Sequence, residues 1–304
     1  MIIDAHAHLI PVFSGSFGGG ELRDCGGGRM QFLDGSTAQI IPEELYIDHG
    51  FTVETLVSEM DKADVGKALL IQAYYYGIHN LYVAEAVAKY PDRFLGVGSF
   101  DPYTVQKEKI MDLLIHKYQF RCFKFELSEG AGLTGFHPDF QADGPVMEPV
   151  YRRAAQENIA IIFDVGKKGT LGFQIDNIAK AARSFPSVWF VVCHLLAPEL
   201  GEDMGQWTEN MKKLAACDNI VFDIAALPWN VREAYPYSTA AGFVRRACDL
   251  AGADRLIWGS DVPCVLTLSS YREQYAFLKD SGLFSRKELE MILGGTAERL
   301  FWNL

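Results

Sequence analysis

The sequence predicts a (β/α)8 barrel of the TIM type with a glycine-rich hairpin insertion after its first strand, and three observations predict it. Short apolar runs alternate with segments of helical period from one end of the chain to the other, the pattern of repeated βα units. Eight such runs can be counted, the number that closes a parallel barrel. The chain is 304 residues long, which suits one barrel of about 250 residues enlarged by insertions. The expected organisation is therefore one domain over 1–304, with 11–50 as a lid-like insertion.

The strands are expected at 2–9, 67–73, 94–99, 120–125, 160–164, 189–193, 220–224 and 256–259. Amphipathic stretches at 53–63, 81–90, 105–117, 150–157 and 243–251 supply outer helices, and 295–302 reads as a terminal helix packed on the barrel. The departure from regularity is 11–50, which holds Gly18-Gly19-Gly20 and Gly26-Gly27-Gly28. Within it, 29–33 and 37–41 flank Asp34-Gly35, a two-residue hairpin signal. Loops that follow barrel strands surround the mouth where such barrels do chemistry, so this segment is expected to wall or cover a site.

A formal charge of −11 opposes nucleic acid and anionic membrane surfaces, which are bound through Lys and Arg. A small-molecule substrate remains, and because barrels of this type often dimerise, a homodimer is an admissible assembly. The six cysteines are scattered without a Cys-x-x-Cys pair, as expected of free thiols in a reducing compartment. The first residues lack a basic region and a long apolar stretch, and no apolar run is long enough to cross a bilayer. A cytoplasmic location is expected.

The chemistry gathers at strand ends. His6 and His8 close the first strand, and residues two apart on a strand share a face with Cα atoms about 6.6 Å apart, so both imidazoles can reach one ion. Asp261 follows the last strand, which in a closed barrel lies beside the first. The alternative for Asp261 is a turn or helix N-cap. Asp164 ends the fifth strand and His194 the sixth. Lys124 ends the fourth, facing a substrate carboxylate or carbonyl or paired with Glu126 or another acid. His137, Tyr74 and Trp229 lie in segments after strands four, two and seven, as pocket walls or as ordinary packing residues.

Together these motifs resemble the amidohydrolase superfamily, in its branch of metal-dependent hydrolases, aromatic-acid decarboxylases and lactonases. The resemblance runs from Asp4-Ala5-His6-Ala7-His8, through Tyr90-Pro91-Asp92-Arg93-Phe94 and Cys193-His194, to Trp258-Gly259-Ser260-Asp261 and Ala297-Glu298-Arg299-Leu300-Phe301. It implies that His6, His8 and Asp261 bind one divalent metal ion, zinc or else manganese. Asp261 would also handle protons, and His194 would polarise the substrate or act as a base. Where the family usually has a histidine ligand this chain has Asp164, an oxygen ligand that favours harder ions or weakens the site. The implied activity is hydrolysis of an ester, lactone or amide by metal-activated water. Non-oxidative decarboxylation, metal-independent lactone cleavage and ligand binding without catalysis stand as alternatives.

Overall fold

The structure, a computed structural model, describes residues 1–303. Its strands are β1 (Ile2–His8), β2 (Leu22–Asp24), β3 (Arg29–Phe32), β4 (Thr37–Gln39), β5 (Val65–Ile71), β6 (Phe94–Gly98), β7 (Cys122–Glu126), β8 (Ala160–Asp164), β9 (Phe190–Val192), β10 (Ile220–Asp223) and β11 (Leu256–Ile257). Eight of them form one parallel sheet in the order β1-β5-β6-β7-β8-β9-β10-β11. β11 returns to β1 through the Ala7–Val262 bridge, with Ala5 N donating to Trp258 O at 2.9 Å and His8 N to Val262 O at 3.0 Å. This is the predicted (β/α)8 barrel.

Alternation along each strand divides the side chains between two layers. Phe123, Phe125, Ile161, Phe163, Phe190 and Phe222 point outward and pack under the helices. Inside the barrel, Ile3, Ala5, Leu69, Val97, Cys122, Ile162, Val191 and Val221 form a separate apolar plug, closed below by Ala297, Leu300 and Phe301 of the terminal helical segment. At the C-terminal end of the strands the inward positions change character. Cys122 gives way to Lys124 and Glu126, Ile162 to Asp164, and Val221 to Asp223. The apolar plug thus supports a polar floor.

Strand β1 is irregular where this matters. Its register with β5 shifts between Asp4 and Ala7, and this bulge turns both histidines inward while Ala7 joins the outer layer. The helices Val53–Lys62 and Asn80–Lys89 lie where the periodicity places them, and Ile175–Ser184, Met204–Ala215 and Glu273–Asp280 complete the ring at positions not singled out above. The 105–117 stretch is broken into Lys107–Asp112 and a wider turn at Leu113–Lys117. Arg93 of the Tyr-Pro-Asp-Arg-Phe motif is structural, donating to Gly66 O at 2.6 Å and to Asp61. No helix among the described residues is long and apolar enough to cross a membrane.

The insertion contains an antiparallel sheet, β2-β3-β4. Its β3–β4 connection is Leu33-Asp34-Gly35, one residue longer than the Asp-Gly signal suggests. Gly35 takes φ +84°, and Phe32 N still donates to Ser36 O at 2.9 Å, so the chain uses a three-residue turn closed by a left-handed glycine. Phe17 and Phe32 pack on Tyr75, and Ser14 N and Ser16 N donate to Tyr76 O and Tyr74 O, each at 3.0 Å. Gly15 runs so close to the Tyr74 and Tyr75 carbonyls that a Cβ there would collide with backbone.

Candidate active site

His6 and His8 face Asp261 across the seam that closes the barrel. Asp261 Oδ1 lies 2.9 Å from His8 Nε2 and 3.6 Å from His6 Nε2. The other nitrogen of each ring is already engaged, His6 Nδ1 with Asp223 Oδ2 at 2.5 Å and His8 Nδ1 with the Ile71 carbonyl at 3.0 Å. A ring that spends its N–H on these acceptors presents a bare lone pair at Nε2. Two imidazole lone pairs and a carboxylate oxygen then converge, and His6 Nε2 is fully buried without a hydrogen-bond partner. Such an arrangement is unfavourable unless a cation joins it, so these side chains fit a metal ion. Among the described residues, the ligand atoms of His6, His8 and Asp261 all lie within 4.8 Å of one another, as do those of His6, Cys193 and Asp223.

The backbone around these groups is held by a buried acid. Asp4 is fully enclosed and accepts from His6 N and Ser260 N, both at 2.9 Å, and from the hydroxyls of Ser260 and Tyr271 at 2.5 Å. Asp261 N in turn donates to His6 O at 2.7 Å. The network fixes Asp261 at φ +71°, and His194 to Ala197 also take positive φ, from 48° to 66°. Left-handed non-glycine residues cost of order 1 kcal/mol or more each and persist only where their surroundings determine them, commonly at functional sites.

A second cluster borders the first. Lys124, 1% exposed, reaches Asp164 Oδ2 at 3.1 Å, and His194 Nε2 lies 3.5 Å from the same oxygen. His194 Nδ1 donates to Ala225 O at 3.1 Å, and its ring centre is 4.8 Å from that of His6. Burial pulls the His194 imidazolium down, but Asp164 beside it outweighs burial and raises it to about 10. Asp164 is driven well below the usual carboxylate range, burial being overcome by Lys124 and His194, and Lys124 is raised in return. Burial also opposes ionisation of Asp261, yet its contact with His8 and the charge of His194 outweigh burial and bring the carboxyl down to about 2. Burial and the nearby Lys124 keep His6 neutral.

The structure thus brings His6, His8, Lys124, Asp164, His194 and Asp261 to one mouth. Asp164 stands apart from the His6–His8–Asp261 group because its oxygen is taken by Lys124 and His194. Lys124 pairs with Asp164 and not with Glu126. His137 is held against Tyr103, ring centres 4.1 Å apart, and paired with Asp101 at 2.8 Å. Tyr74 donates its hydroxyl to Phe100 O at 2.6 Å, and it is Tyr76 that packs edge-on to His8, 5.2 Å between ring centres. Trp229 sits under the Arg232 guanidinium and lines a cleft with Pro228, Val265 and Leu268, beside the loop that carries Asp261. Sequence reasoning passed over Asp223 and Asp4. Asp223 ends an apolar run, Ile220-Val221-Phe222, in the same way that Asp164 does, and that signal was available.

The model of the amidohydrolase family matches residues 3–302. An L-fucono-1,5-lactonase from Burkholderia ambifaria is 29% identical over 123 residues, a match spanning 40% of this chain and 40% of that protein's length. A zinc-bound amidohydrolase from Burkholderia multivorans has the same fold, with a TM-score of 0.72 and 18% identity over 99% of this chain and 98% of that one. So does a probable 2-pyrone-4,6-dicarboxylic acid hydrolase from Acinetobacter baumannii, with a TM-score of 0.69 and 17% identity over 99% of each chain. 5-Carboxyvanillate decarboxylase from Sphingomonas paucimobilis aligns with a TM-score of 0.56 and 17% identity over 86% of this chain and 87% of that one. A family match that spans the barrel and every strand end bearing these polar groups means that the chain belongs to the amidohydrolase family of enzymes.

Proposed function

We propose that this chain hydrolyses a lactone, the cyclic ester of a small hydroxy acid, using one divalent cation, zinc or manganese. The observation that carries the proposal is the convergence of His6 Nε2, His8 Nε2 and Asp261 Oδ1 beside the Lys124 and His194 cations. The partial match to a lactonase supports a cyclic ester, and the zinc-bound neighbour supports the cation. Held by His6, His8 and Asp261, the ion would polarise the carbonyl and acidify water.

The chain's own groups do the rest. Asp261, ionised at neutral pH, takes a proton from the attacking water and passes it to the ring oxygen as that oxygen leaves. The water oxygen bonds to the carbonyl carbon, the carbon to ring-oxygen bond breaks, and one hydroxy acid results. Lys124 and His194 place cationic donors where charge builds on the carbonyl oxygen. Asp223 and Ile71 orient the two imidazoles, and the insertion, clasped by Phe17, Phe32 and Tyr75, forms one wall.

Decarboxylation of an aromatic acid is the second reading, because the same Asp261 would hand its proton to carbon. Incubation of the metal-replete protein with a panel of lactones should release one equivalent of hydroxy acid and no carbon dioxide. Release of carbon dioxide from aromatic acids, with every lactone untouched, would replace hydrolysis by decarboxylation.

A further inference from the structure

The Lys124 ammonium is fully enclosed and makes no aligned hydrogen bond. Asp164, its diagonal neighbour on β8, is the one carboxylate with which it forms an ion pair among the described residues, at 3.1 Å. Glu126 stands two positions beyond Lys124 on β7, but burial and the Asp164 charge push its acid up, toward the neutral form. Asp261 and Asp223 face the two histidines of β1. His194, the other cation against Asp164, is partly exposed and also donates to Ala225 O, so it has support besides that carboxylate. Lys124 has none, and a buried ammonium stripped of its anion is strongly destabilised.

This dependence bears on the neighbouring cation site. Asp164 is an oxygen donor of the kind a divalent ion accepts, at the same mouth as His6, His8 and Asp261. Yet neither of its oxygens joins the ligand atoms of those three residues where they converge. Its Oδ2 is held between Lys124 and His194, and drawing the carboxylate onto an ion would pull it off Lys124. The ammonium cannot follow it into water, because Lys124 sits within β7 above the apolar plug. We infer that Lys124 is a positioning residue that withholds Asp164 from the cation, so that His6, His8 and Asp261 alone hold the ion and its other positions stay free for water and substrate. Asp164 then serves as a counter-ion and not as a ligand.

This inference rests on the cation reading, and the test separates the two. Crystal structures are compared for the wild type and Lys124→Met, each loaded with zinc, or with manganese should the wild type take up only that ion. Affinity for the same ion is measured by competition with a chromogenic chelator. In the wild type Asp164 should stay against Lys124, outside bonding distance of the ion. In Lys124→Met, which fills similar space without charge, one Asp164 oxygen should move to bonding distance, about 2.0–2.2 Å for zinc. Affinity should then rise about tenfold or more, a gain that damage to the fold does not produce, and Lys124→Met/Asp164→Asn should lose it. Asp164 bound to the ion in the wild type overturns the inference, and that comparison needs no variant to fold. A Lys124→Met protein whose Asp164 stays off the ion or whose affinity does not rise, or a double variant that keeps the gain, overturns it too. Each of these leaves the cation reading standing, whereas a wild type that takes up neither ion overturns both.

Discussion

Asp261→Asn should lower kcat/KM on the best lactone by about 10³-fold, the scale of a lost general acid-base group, while the far-ultraviolet circular dichroism spectrum stays unchanged. Asparagine retains the shape and an oxygen that can face His8, but it has no basic oxygen to take a proton from water. The effect should appear in kcat more than in KM, because Asp261 acts where charge moves and not where the ring is gripped. Since its contact with His8 and the charge of His194 outweigh burial and hold the carboxyl down to about 2, Asp261 gives the wild type no loss of basic form between pH 5 and 8. A variant within tenfold of wild type would remove Asp261 from proton transfer.

Asp164→Asn should destabilise the protein by about 3 kcal/mol, measured by urea unfolding at pH 7 with metal content matched. The substitution leaves Lys124, 1% exposed, without its anion, and a buried charge stripped of its partner costs several kcal/mol. Replacing Lys124 with Met at the same time should recover much of the loss, since the uncompensated charge is then gone. The pH dependence has a definite sign. Asp164 is held below its unfolded value of about 3.9, so its contribution is complete above that pH and declines as the pH falls below it. The gap between wild type and variant should therefore be widest near neutrality and narrow below about pH 4. In the variant the His194 imidazole should also titrate well below 10, as burial acts on it without Asp164. A variant as stable as wild type at pH 7 would show that Lys124 is stabilised by other groups.

The barrel was legible because a strand with one face on an apolar plug and the other under helices leaves a short, continuous apolar run, and β8 occupies its expected residues. The polar strand ends were legible for the same reason, since Asp164 and His194 interrupt such runs. What the sequence could not carry was which acid answers which cation. Lys124 has Glu126 two residues away but reaches Asp164, its diagonal neighbour on β8, and a pairing between strands cannot be read from spacing along one of them. Nor could it show that a bulge in β1 aims both histidines inward, or that Asp4 ties them to Ser260 across the seam. Those relations depend on closure of the barrel. The hairpin length failed on a finer point, a three-residue turn in place of two, where a left-handed Gly35 serves both and the choice lies in strand twist.

The central claim is that His6, His8 and Asp261 bind a cation, and elemental analysis of protein purified without chelators tests it most directly, on wild type and on the His6→Ala/His8→Ala double variant. About one zinc or manganese per chain is expected in the wild type, falling to background in the double variant with the fold intact by circular dichroism. A wild type that holds neither ion, even after reconstitution, or a double variant that keeps its metal, would contradict the account.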